Sequence, residues 1–205
     1  LMKADGVAVI FIGIAGALSK MLVIKGGTID TTGTMMMIIS LSLGAIVGEM
    51  LDLDGKMIHF GEWLKIKTGN AKDKKFVDGF VTASLTVCIG AMAVVGSIED
   101  GIHADHSILF AKAILDFVII LVMSATLGKG CLFSFVPVGL FQGTITLLAS
   151  LISPFITASA MSALSYIGSI LIFCVGVNLV FNTKIRVANL LPALIVACIC
   201  TVFPL

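Results

Sequence analysis

Residues 107–128 read SILFAKAILDFVIILVMSATLG, and this stretch decides the class of the protein. At a rise of 1.5 Å per residue, about 20 apolar residues in a helix cross the roughly 30 Å of hydrocarbon in a bilayer. The stretch has that length, yet it carries Lys112 and Asp116 in its interior. A soluble protein has no use for such a segment. A membrane protein tolerates the two charges only where they face the inside of a helical bundle, because a charge at the helix centre costs at least ~2.5 kcal/mol.

Six further stretches of the same kind flank it, at 5–24, 34–51, 76–97, 131–151, 161–182 and 187–205. The sequence therefore predicts an all-α, polytopic transmembrane bundle of about seven spans, filling residues 1–205 as one integral membrane domain. Composition agrees: of 205 residues 59% are hydrophobic and 12% charged, against about a quarter charged in soluble domains. The net charge of +1 conceals clustering. Lys56, Lys65, Lys67, Lys72, Lys74 and Lys75 share one connection, and Lys129 and then Lys184 with Arg186 fall on the same side when spans alternate. Short basic loops stay on the cytoplasmic side, so connection 52–75, the turn around 129 and loop 183–186 are expected there, in a bacterial plasma (inner) membrane. The opposite loops carry Lys25 with Asp30, then Glu99, Asp100 and Asp105, then the uncharged stretch around Pro154. Within 52–75, Met57, Phe60, Trp63 and Leu64 recur at helical spacing beside Lys56, Glu62 and Lys65, which predicts a short helix in the cytoplasmic interface. Such a connection can bind membrane lipids or a partner. A clustered distribution of this sort is no footprint for nucleic acid.

Lys3, the apolar core after it and Ala15-Gly16-Ala17 imitate a signal peptide, but the run continues through Lys20 in a polytopic chain, which argues against cleavage. Cys88, Cys131, Cys174, Cys198 and Cys200 form no C-x-x-C pair and read as small packing residues.

The stretches Gly79–Leu85, Ile89–Ile98 and Asp105–Leu109 resemble the bacterial "domain of unknown function 554" membrane-protein family. Ala111-Lys112, Leu115-Asp116, Pro137, Gln142-Gly143, Lys184–Arg186 and Asn189–Leu194 extend the resemblance from about residue 5 to 194. It implies a bacterial plasma-membrane protein and no particular substrate. Members usually carry one more apolar helix ahead of the one at 5–24, so an N-terminal helix is expected to be missing here.

Function must then be read from polar groups in apolar surroundings. Lys112 and Asp116 stand one turn apart, and Asp105 falls within about 40° of them around the helix, forming one polar stripe. The pair reads either as a coupling site, with Asp116 taking a proton or cation and Lys112 as counter-charge, or as a fixed salt bridge that sets helix register. Phe135–Thr144 places Pro137, Gly139, Gln142 and Gly143 near the bilayer centre. That is the composition of a discontinuous helix that frees backbone groups for a solute, or of a kinked helix packed closely through its glycines. Asp78 and Glu49 lie near the cytoplasmic ends of their segments, where they either serve a site or reach headgroups or the Lys74 and Lys75 cluster. Thr82 and Thr86, one and two turns beyond Asp78, offer hydroxyls to a cavity or to their own helix backbone. Asn178, Asn182 and Asn189 are further polar positions, with interhelical bonding as the plainer use of the asparagines. Phe11–Ile14 and Phe173–Val177 share a Gly-apolar pattern on helices of opposite direction, the outline of an inverted repeat. His103, Asp105 and His106 are metal-ligand residue types at no established spacing, and Asp105 also suits the N-cap of a helix opening at Ser107. The run Met35-Met36-Met37 reads as packing. Gly79, Ala83 and Gly90 form a small-residue face that allows a homo-oligomer. No Walker loop, nucleophile elbow, H-E-x-x-H or dinucleotide fingerprint is present. The expectation is a non-enzymatic protein without cofactors, a secondary transporter of a small solute or ion, with a passive channel or a scaffold as the alternatives.

Overall fold

The computed structural model describes residues 2–88, 91–155 and 157–202. The chain is almost entirely helical: α1 (Met2–Met21), a two-stranded hairpin β1–β2 (Leu22–Lys25, Thr28–Thr31), α2 (Thr34–Leu51), α3 (Leu53–Lys67), α4 (Phe76–Cys88), α5 (Ala91–His103), α6 (Ser107–Leu127), α7 (Phe135–Leu147), α8 (Ala149–Ile152), α9 (Ala158–Phe181) and α10 (Pro192–Val202). Short 3₁₀ turns precede α7 at Lys129–Ser134 and α10 at Val187–Leu190.

Among the described residues four segments are long and apolar enough to cross a membrane, Thr34–Leu51, Ser107–Leu127, Lys129–Leu147 and Ala158–Phe181. A fifth is added if α4 and α5 count as one bent span, their axes diverging by 63°. Of the expected count of about seven, length and composition among the described residues support four or five. Gly6–Met21 and Val187–Thr201 are apolar but shorter. Hydropathy adds up apolar residues without regard to backbone form, so it merged α1 with strand β1 and merged a 3₁₀ turn with α10. Residues 203–205 of the last expected span lie outside the described residues, as does Gly90 of the small-residue face.

Contacts divide the chain into two compact units, one of 1–5 and 54–154, the other of 6–53 and 155–205. In the first, α3 lays Leu64 on Phe76 and Phe80, both fully buried. Phe60 joins that side while Trp63 points outward, half exposed, with Lys67 Nζ 4.8 Å from its ring centre. The expected short helix is therefore present, with Phe60 and Leu64 packed on α4. The start of α4 rests on the turn Lys129–Ser134 because Gly79 and Gly130 let two backbones meet: a Cβ on Gly79 would stand 2.9 Å from the Leu127 carbonyl oxygen. The span expected at 76–97 is two helices, with α4 ending at Cys88 and α5 beginning at Ala91.

In the second unit α1 runs antiparallel to α9, Gly6 against Val180, Gly13 against Phe173 and Gly16 against Ser169, with Gly176 answering at Ile10. The two segments read as an inverted repeat lie side by side here, and their likeness follows from one shared demand, a glycine wherever the other backbone approaches. α2 presents Gly44 to Ala193 and Gly48 to the backbone of Asn189. Ala163, Ile167, Ala193 and Ala197 form the core, packed by Met36, Met37 and Leu41, while Met35 is exposed. Glu49 pairs with Arg186 at 3.0 Å.

Candidate functional site

Lys112 and Asp116 form an ion pair on α6 with side-chain exposures of 8% and 22%. Lys112 Nζ also donates to the Val87 carbonyl oxygen at 2.9 Å. Val87 lies in the last turn of α4 as described, and a backbone carbonyl oxygen has two lone pairs to offer a donor. A buried ammonium is thus held by a carboxylate from its own helix and by a backbone carbonyl of another.

The pair opens onto a cavity of about 340 Å³ between α4, α6 and α7. Lys112, Asp116, Ser134 and Gln142 are its polar side chains, set among Leu109, Phe117, Ile120, Leu132, Phe135 and Val138. Gln142 Nε2 is buried and has no hydrogen-bond partner among the described residues. A second cavity, of about 450 Å³, lies between Thr31 and Met36 in the other unit and reaches Cys200. It has hydroxyls but no charged side chain in its lining, so the cavity with the intramembrane charges is the stronger candidate.

Gln142, Lys112 and Asp116 therefore come together, but not by the route expected of Pro137. That proline sits in the first turn of α7, where a helix has no donor to lose, so the discontinuity lies between α4 and α5 instead. Among the described residues the glycines of α7 serve no close packing either: a Cβ on Gly139 or Gly143 would meet nothing within 4 Å.

The remaining candidates stand apart from the cavity lining. Asp78 is exposed in the first turn of α4. Thr86 donates its hydroxyl to the Thr82 carbonyl at 2.8 Å, within its own helix. Asn178 clamps the backbone of Ile185, donating to its oxygen at 2.8 Å and accepting from its nitrogen at 3.0 Å, and takes the Thr183 hydroxyl at 2.7 Å. That is a loop staple rather than interhelical bonding. Asn182 ends α9 in the left-handed region, and Asn189 is buried in the turn against Gly48. Val87 and Ser134 are the lining residues that sequence reasoning missed. Nothing in a side-chain pattern announces a carbonyl, although Gly90 two residues past Cys88 was a signal for a break.

At the α5–α6 corner the metal-ligand types do not converge: among the described residues no three His, Cys, Asp or Glu groups gather. His103 bonds Glu99 at 2.7 Å, His106 bonds Asp100, and Asp105 accepts from the Ser107 backbone nitrogen at 2.9 Å. The N-cap position belongs to His106, so Asp105 holds the helix start from one residue further out. The Ser107 hydroxyl and N–H keep the Asp105 carboxyl below its ordinary value. A depressed carboxyl stabilises above its unfolded pKa and loses that contribution as pH falls through the folded value. Amide-exchange protection at Ser107–Phe110, corrected for intrinsic rate, is expected to fall below about pH 4 in the wild type, and to be low and flat with pH in Asp105→Ala.

The family model described as "Protein of unknown function (DUF554)" matches residues 1–202. The uncharacterized membrane protein YdfK of Bacillus subtilis is 27% identical over 197 residues, which cover 96% of this chain and 80% of that protein. The uncharacterized protein YqgA of Escherichia coli K12 is 28% identical over 165 residues, 78% of this chain and 70% of the relative. No solved structure matches the chain.

Proposed function

We propose a transport role on one plain premise: the chain belongs to the DUF554 family, and it is a membrane protein of several apolar helices. In this reading it is a secondary transporter of a small solute in a bacterial plasma membrane, a carrier rather than an enzyme, with loops 52–75, around 129 and 183–186 in the cytoplasm. One observation carries it. An ammonium–carboxylate pair, nearly buried, lines a cavity at the end of an interrupted helix. Intramembrane charges mark functional sites by default, and interrupted helices offer backbone groups and dipole ends to solutes. The pair can open to a guest and close again in its absence, which gives the cavity an empty and a loaded state of different internal charge pairing.

The test is uptake into proteoliposomes, with imposed proton or sodium gradients and a panel of small metabolites and ions. Gradient-driven uptake by the wild type and its loss in well-folded Asp116→Asn would support the reading. Absence of any flux in a folded wild type would oppose it. A second role is favoured by α3, where exposed Trp63 and Ile66 stand beside Lys67: the basic connection would bind anionic lipid headgroups.

A further inference from the structure

The chemistry of the cavity selects among solutes. Its lining holds one ammonium, one carboxylate and no other ionisable side chain besides these two. The unloaded site is therefore neutral, and each charge is paired with the other. A guest of net charge would leave one full charge uncompensated in a low-dielectric surrounding, which is the most expensive arrangement available there. An uncharged polar guest could not replace either member of the pair, because a neutral dipole does not offset a desolvated ion. A guest with both charges can exchange partners without any ion being left alone.

Three details fix the shape of that guest. Lys112 and Asp116 are in direct contact one helical turn apart, so the inserted charges must be separated by little more than one atom. The Val87 carbonyl of α4 stands beside the pair, an acceptor that suits an ammonium. On the α7 side Gln142 Nε2 is a buried donor without a partner among the described residues, which suits a carboxylate oxygen. The walls are apolar and aromatic, with Phe117, Leu132 and Phe135 among them. A cavity of about 340 Å³ is of the size that encloses a small ligand.

We propose that this cavity binds a net-neutral zwitterion of the α-amino-acid kind, its ammonium held by Asp116 and the end of α4, its carboxylate by Lys112 and Gln142. Its side chain packs on the apolar wall. The assignment deepens the transport reading and rests on it.

The experiment uses the full chain, purified in detergent, and the L-amino acids as probes. Thermal shift finds the member that binds best, and equilibrium titration then compares it with its decarboxylated amine and its deaminated acid. Saturable binding of the amino acid is expected, with each single-charge half at least about a hundredfold weaker, since a site built around paired groups rejects an analogue lacking one. Gln142→Leu, with an unchanged melting temperature, is expected to weaken binding about tenfold, the effect of one charge-assisted hydrogen bond. Binding of the amine or of sodium as tight as that of the amino acid would overturn the assignment, and so would a folded protein that binds none of the panel. If no amino acid binds while Asp116-dependent uptake of another solute persists, the zwitterion assignment fails and the transport reading stands. If neither binding nor uptake is found, both fail.

Discussion

Lys112→Met is expected to lower the stability of the protein by about 3–5 kcal/mol, the usual cost of removing one partner from a buried ion pair. The cost comes from what is left behind. Asp116 would keep a carboxylate with only a fifth of its side chain exposed, and the Val87 carbonyl would lose its donor. The double variant Lys112→Met, Asp116→Leu removes both charges and is expected to recover most of the loss, because an apolar pair of similar volume packs as well as the ions did. A double-mutant cycle on unfolding in detergent measures the coupling. Less than about 1 kcal/mol for the single substitution would be typical of a solvent-exposed pair and would remove the case for a buried site. The same double variant separates two roles in uptake assays. A protein that folds and no longer transports has lost a working pair, whereas one that folds and transports normally used the pair only to fix its helices.

The second large effect concerns a close approach of two backbones. A Cβ at position 48 would fall on the Asn189 carbonyl, and neither partner is a flexible side-chain end that could swing away. Gly48→Val is expected to destabilise the second unit by about 3 kcal/mol, the upper part of the overpacking range. Gly139→Ala on α7 should have the opposite sign: with nothing within 4 Å, alanine brings only its better helix propensity, about 0.5–1 kcal/mol. Thermal unfolding of the two variants beside wild type checks both. A loss of stability at Gly139 would mean that another chain covers that face.

What the residues announced and what they hid follow from the range of each signal. The spans at 34–51 and 107–128 were readable because long apolar runs coincide with single helices there. The Lys112–Asp116 pair was readable because one turn of helix is a local relation, and the third partner, Val87, was not, being 25 residues away and a backbone group. The interruption after Cys88 was invisible to hydropathy, which stays high across 76–97. Pro137 drew the expected break to the wrong helix because a proline interrupts only when it has a donor to remove, and the 3₁₀ turn before it moved the helix start to Phe135. The β1–β2 hairpin was overlooked despite a clear cue. Gly26 and Gly27 both adopt positive φ, 58° and 83°, as a two-residue hairpin turn demands, and strand-forming Leu22–Ile24 precedes them.

The second unit is built from the two ends of the chain, 6–53 and 155–205. During synthesis the glycine face of α2 therefore enters the membrane long before Asn189 and Ala193 exist to cover it. At roughly 5–20 residues per second, the interval of about 140 residues amounts to about 7 to 28 seconds. Through that time α2 must persist without its α10 partner, while the other unit has all of α3 to α8 in one uninterrupted piece. Maturation is thus ordered in time: the part that holds the charged cavity can close first, and the glycine-packed part waits for residues 155–205.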